Sequence, residues 1–115
     1  MIRRPEEQPV ELKCIRNGNG ETEMKKLLED VDELYGKGRM FNLMTLAPGR
    51  SIGTHTHEGD NEIFYFLSGT GTYDDNGTEV AVSTGDVAVC NDGEQHGLVN
   101  SGTEPLVFIA LILYS

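Results

Sequence analysis

The residues best suited to chemistry in this chain are its three histidines, His55, His57 and His96. The first two form a His-x-His pair. On a β-strand successive side chains alternate between faces, so both imidazoles project to one side. In that arrangement two ligands from one strand can reach one metal ion. Glu62 stands five residues after His57 and opens the segment Glu62-Ile63-Phe64-Tyr65-Phe66-Leu67. A short connection would return that segment beside the first and bring Glu62 near the pair. His96 follows an Asn91-Asp92-Gly93 turn and could close the site from across a barrel. Three neutral imidazoles and one carboxylate suit a borderline divalent ion. An octahedral ion with four protein ligands keeps two positions for water, substrate or dioxygen. By themselves these signals have ordinary alternatives: His-x-His recurs on exposed strands, and a Glu at a strand end is usually solvated.

The elements that must position these residues read as short strands. Turn signals recur at 17–20, 48–49, 68–69, 74–77, 84–85, 92–93 and 101–102. Between them, segments 10–15, 40–46, 62–67, 78–82, 86–90, 97–100 and 105–114 are rich in β-branched and aromatic residues, and 51–57 carries the His-x-His pair. Many short strands at this spacing predict an all-β sandwich or barrel. Asn76-Gly77 between Tyr73 and Thr78 is the clearest hairpin signal. Residues 22–35 fit both periods, and the expectation is a strand over 22–28 and a short helix near 30–35, ended by Gly36. Residues 1–9, with Pro5 and Pro9, read as an extended N-terminal arm, and 10–115 as a single β-barrel domain.

The charge balance bounds the partners. The 115 residues hold nine Lys and Arg against nineteen Asp and Glu, a formal net charge of −10. All nine basic residues lie in positions 1–50, where nine acids balance them; positions 51–115 hold ten acids and no Lys or Arg. A chain charged in this way is unsuited to nucleic acid or to an anionic membrane surface. The longest apolar run, 106–113, is too short to span a bilayer. The N-terminus lacks the apolar stretch of a signal peptide. Cys14 and Cys90 have no metal-type spacing to each other and read as reduced thiols, so the expected compartment is the cytoplasm.

The spacing around the histidines resembles the two motifs of the cupin family. Gly49, His55, His57, Glu62 and Gly69 match the first motif; Gly85, Gly93, His96 and Asn100 match the second, with Asn91 where that motif usually has Pro. Fifteen residues separate the two motifs. The resemblance implies a double-stranded β-helix, or jelly-roll, cupin barrel with at most one short helix and a metal at its open end. His55, His57, Glu62 and His96 would be the ligands. Mn, Fe, Ni, Co, Cu and Zn all tolerate such a set, with Mn or Fe favoured. The resemblance also implies a homodimer, with N-terminal arms crossing between subunits.

Alternation then nominates pocket residues. Phe64 and Phe66 share a face with Glu62, and Leu98 and Asn100 share one with His96. Phe66 reads as core; Phe64, Leu98 and Asn100 are candidates for the substrate pocket, although Asn100 fits a structural hydrogen bond equally well. Tyr65, on the opposite face, should pack between sheets. Glu58, Asp60 and Glu94 read as solvated loop acids, and Cys90 as buried and inert. The acidic second half favours a cation and disfavours small anions. An anionic substrate therefore needs Arg39 or Arg50, the two basic residues nearest the motif strands. The expected function is a metal-dependent enzyme on a small molecule, of dioxygenase, decarboxylase or isomerase type. A non-catalytic module that binds or senses a small molecule is the alternative.

Overall fold

The structure is a computed structural model describing residues 1–115, with the side chain of Asp30 outside the described set. Ten strands run in chain order: β1 (Val10–Lys13), β2 (Thr22–Lys26), β3 (Gly38–Leu46), β4 (Ser51–Thr56), β5 (Asp60–Ser68), β6 (Thr70–Asp75), β7 (Thr78–Ser83), β8 (Val87–Cys90), β9 (Gln95–Val99) and β10 (Leu106–Tyr114). They form a six-stranded sheet, β1-β2-β3-β10-β5-β8, and a four-stranded sheet, β4-β9-β6-β7. Every pairing is antiparallel. This is the double-stranded β-helix. One α-helical turn, α1 (Asp30–Glu33), and one 3-10 turn at Pro5–Glu7 are the helical elements. No helix among the described residues is long and apolar enough to cross a membrane.

Strand β10 shows how the sequence builds the barrel. Its burial alternates along the strand: Leu106, Phe108, Ala110 and Ile112 face the interior, while the residues between them are half-buried on the outer face. Ala110 lies opposite Phe64 on β5, and its small side chain leaves space for that ring. Phe64, Phe66 and Phe108 meet at centroid distances of 4.8–6.1 Å, the tilted and edge-on range that aromatic quadrupoles favour. Met44, Leu46, Leu98 and Leu106 fill the rest of this core.

The Asn76-Gly77 turn forms the hairpin between β6 and β7, with both residues at positive φ, 51° and 93°. A two-residue turn with both centres left-handed matches the right-handed strand twist, which Asn-Gly accommodates. Residues 22–35 resolve into both of the expected elements, strand first and then one helical turn, with Gly36 at φ 68° after it.

Three expectations need correction. The first strand stops at Lys13 rather than 15, because Arg16 and Asn17 turn left-handed at φ 54° and 57°. The N-terminal arm is not uniformly extended: it carries the turn at Pro5–Glu7, and Arg3 ties it down by donating to the Leu27 carbonyl and pairing with Glu33. Tyr65 does not pack between sheets: it alternates with the inward Phe64 and Phe66, lies on the outer face of the six-stranded sheet and is 44% exposed.

Candidate metal centre

Strands β4 and β9 pair so that His55 sits directly opposite His96. Strand β4 shifts register between Ile52 and His55, and the shift aims the His-x-His pair inward. Strand β5, in the other sheet, brings Glu62 from the facing wall. The four side chains converge with their donor atoms within 4.8 Å of one another. Glu62 Oε1 lies 3.0 Å from His96 Nε2, 3.2 Å from His57 Nε2 and 4.0 Å from His55 Nε2. The Nε2 atoms of His57 and His96 are 3.1 Å apart.

Each imidazole is held from behind by its other nitrogen. His55 Nδ1–H donates to the Gly53 carbonyl at 2.7 Å, and His57 Nδ1–H donates to Asp60 at 2.7 Å. Both partners can only accept, so Nδ1 carries the proton in these two rings and Nε2 presents a lone pair inward. His96 Nδ1 meets the Tyr73 hydroxyl at 2.8 Å, and the Phe64 ring stacks on the His96 ring at 5.1 Å. Anchoring the far nitrogen fixes ring orientation and tautomer, as in protein metal sites.

The electrostatics follow from burial and these contacts. Burial holds the His55 pKa below the usual range. The hydrogen bond to Glu62 raises that of His57, against the desolvation cost of burial. For Glu62 burial opposes ionisation, but hydrogen bonds with His57 and His96 outweigh it and lower the pKa. Asp60 behaves likewise, with His57 and Arg39 holding it ionised against burial. In the neutral His57 tautomer the Nε2 lone pair and the Glu62 carboxylate face one another as two acceptors, while His96 Nε2 takes either role with its tautomer. Two acceptors at 3.2 Å repel unless a cation, either a proton or a metal ion, lies between them. The donor set fits a divalent ion.

A cavity of about 230 Å³ opens onto the centre, reaching His55, His57 and Glu62. Its apolar wall is Ile15, Met24, Met40, Met44, Ile52 and Ile112, and its cationic rim is Lys13, Arg16 and Arg39. Arg39 donates to Asp60 at 3.0 Å. Of the anticipated pocket residues, Arg39 therefore lines this cavity. Phe64 instead backs His96 from the core. Leu98 faces inward opposite Ile52 but is buried in the barrel core and does not line this cavity. Asn100 donates to the Leu46 and Glu104 carbonyls and accepts from Gly102 N–H, a purely structural set. Arg50 points away, against Gly20 and a separate depression beside Glu21 and Glu23.

Asp60 is the residue most misjudged from sequence. It is buried, not a solvated loop acid, because it joins Arg39 to His57. Its three-residue spacing from His57 was a usable signal. Lys13, Arg16 and Tyr73 gave no comparable signal, since they lie far from the motifs in sequence. Cys90 is buried, and burial pushes its thiol pKa up to about 11, which suits an inert thiol.

Fold and site together define a double-stranded β-helix carrying three histidines and a glutamate at the mouth of the barrel. A family model described as the cupin domain matches residues 42–112, and the chain belongs to the cupin family. It is 41% identical over 113 residues to an oxalate-binding protein of Thermotoga maritima, covering 98% of this chain and 93% of that one. A crystal structure from the same organism, described as a predicted oxalate decarboxylase, matches with a TM-score of 0.94 at 40% identity over the whole of both chains. A conserved protein with a double-stranded β-helix domain from Klebsiella pneumoniae matches at 27% identity and a TM-score of 0.70, over 88% of this chain and 84% of that one.

Proposed function

We propose that this chain is a metal-dependent binding protein for a small carboxylate of the oxalate type, with His55, His57, Glu62 and His96 as the metal ligands. The observation that carries the metal is the convergence of one ligand atom from each of four buried or half-buried side chains within 4.8 Å, with the His57 Nε2 lone pair 3.2 Å from the Glu62 carboxylate. A divalent ion held by four donors keeps room in an octahedral shell for the oxygens of a chelating carboxylate, which it would polarise and neutralise. The chain itself contributes shape and charge. The cavity, about 230 Å³, falls below the roughly 300 Å³ of the smallest drug-sized pockets, which suits a ligand of few atoms. Its apolar wall limits water around the ligand, and its three cations draw an anion toward the mouth.

The names of the Thermotoga proteins divide between binding and decarboxylation, and the cavity walls favour binding. Breaking a carbon–carboxylate bond leaves electron density on carbon that must be protonated, so a positioned acid is needed. The only carboxyl group among the described residues lining the cavity is Glu62, which belongs to the ligand set. Calorimetry on metal-loaded protein, beside an assay for carbon dioxide and formate from oxalate, tests the reading. Saturable oxalate binding without product is expected. Absence of oxalate binding, or sustained carbon dioxide release, would overturn it.

A further inference from the structure

The loop over 14–21, between β1 and β2, crosses from the edge of one sheet to the edge of the other and docks on β4. Gly53 N–H donates to the Ile15 carbonyl at 3.1 Å, and Ser51 N–H to the Asn19 carbonyl at 3.0 Å. Asn19 returns two bonds: its N–H donates to Ser51 Oγ at 2.6 Å and its side chain to the Gly49 carbonyl at 2.9 Å. The contact is built for close approach of two backbones. A Cβ on Gly53 would collide with the Arg16 carbonyl, and one on Gly18 with the Ser51 carbonyl. The left-handed pair Arg16 and Asn17 turns the chain at this point. The result is a strap that carries Arg16 to the rim of the metal cavity, beside Lys13 at the end of β1. Neither residue has a salt-bridge partner among the described residues, whereas Arg39 is paired with Asp60.

Resting on the proposed function, we infer that Arg16 on this strap, with Lys13 beside it at the end of β1, determines specificity for a dicarboxylate over a monocarboxylate. The reason is charge balance. A divalent ion is offset in part by Glu62, and Arg39 is offset by Asp60, so the centre without the strap carries one net positive charge. That charge balances a monoanion. A dianion such as oxalate stays uncompensated in this acidic half of the molecule unless further cations face it, and Lys13 and Arg16 are those cations. Gly53 joins the two functions: its N–H holds the strap and its carbonyl holds His55 Nδ1. Lys13 and Arg16 are specificity-determining residues, and Gly53 is a positioning residue.

The test compares oxalate with acetate on metal-loaded protein by calorimetry, with metal content measured alongside. In the double variant Lys13→Gln, Arg16→Gln the oxalate-to-acetate affinity ratio is expected to fall by roughly tenfold or more, with metal content unchanged and the ratio losing its salt dependence. Gly53→Ala, which keeps both cations but displaces Arg16, is expected to lower the ratio by less than the double variant. A double variant that keeps the wild-type ratio, or loses both ligands equally, overturns the role of the strap while leaving the proposed function standing. Wild-type protein that binds acetate but not oxalate overturns both.

Discussion

The two halves of this chain divide the work of the site. Positions 51–115 hold every proposed metal ligand and no basic residue; positions 1–50 hold every Lys and Arg, three of which reach the cavity rim. The acidic half would capture a cation through fixed, buried donors whose far nitrogens are pinned. The basic half would receive an anion through exposed side chains at the mouth. The difference shows why net charge alone misleads about a ligand. A field summed over ten acids disfavours anions at long range, yet local cations a few ångströms from the ligand outweigh screened charges farther away. The two halves meet through Asp60, which holds a ligand histidine from one and an arginine from the other.

The sharpest way to break this division is to remove a donor. His55→Ala or His96→Ala is expected to abolish stoichiometric metal while leaving the strands paired, measured by elemental analysis and circular dichroism. Retention of metal at wild-type stoichiometry would show that the acidic half does not hold it as described. Cutting the link comes next. Asp60→Asn is expected to weaken metal binding by about 10–100-fold, because His57 loses its anchoring carboxylate. A chelator competition titration measures this effect. Arg39→Gln acts first on the basic side: carboxylate affinity is expected to fall by roughly tenfold, with metal content intact because Asp60 keeps its bond to His57.

Acidity offers a subtler comparison. In the metal-free protein, the hydrogen bond to Glu62 raises the folded pKa of His57 above its unfolded value. Its stabilisation is therefore full below the unfolded value and lost as pH rises through the folded one. Glu62 has a depressed folded pKa, so its stabilisation is present above the unfolded value and lost as pH falls through the folded one. The melting temperature of metal-free protein should peak between these limits. The loss on the alkaline side should vanish in metal-loaded protein, where the ion replaces the proton; a scan of melting temperature against pH with and without metal decides it. The smallest effect belongs to Arg50→Gln, expected to change ligand affinity by less than about twofold, since exposed charges away from a site contribute little.

How much of this was legible in the sequence differs from residue to residue. Most strands were readable because alternation and turn chemistry are local; β6 (Thr70–Asp75) was not among the expected segments. Leu106, Phe108, Ala110 and Ile112 mark a buried face by period two alone, and Asn76-Gly77 specifies its own hairpin. The four donors were readable because motif spacing fixes their register on neighbouring strands. The second tier of the site was not. Asp60 looked like one acid among several in a loop, because its burial depends on Arg39, brought alongside by folding. Arg39 and Arg50 flank the same strand pair in sequence and were equal candidates; tertiary structure sends Arg39 to the cavity and Arg50 to a separate depression.

The sequence by itself thus determined the fold class, the position of the histidines and glutamate on inward faces, and the separation of charge between the halves. Only the tertiary structure decided which cations reach the site, because that depends on contacts distant in sequence. The loop over 14–21 docks on β4 where Gly18 and Gly53 lack side chains, more than thirty residues apart in sequence. Periodicity records which face a residue presents to the core. It carries no record of which loop crosses to which strand, since that is fixed by backbone contacts between segments whose side-chain patterns are independent of one another.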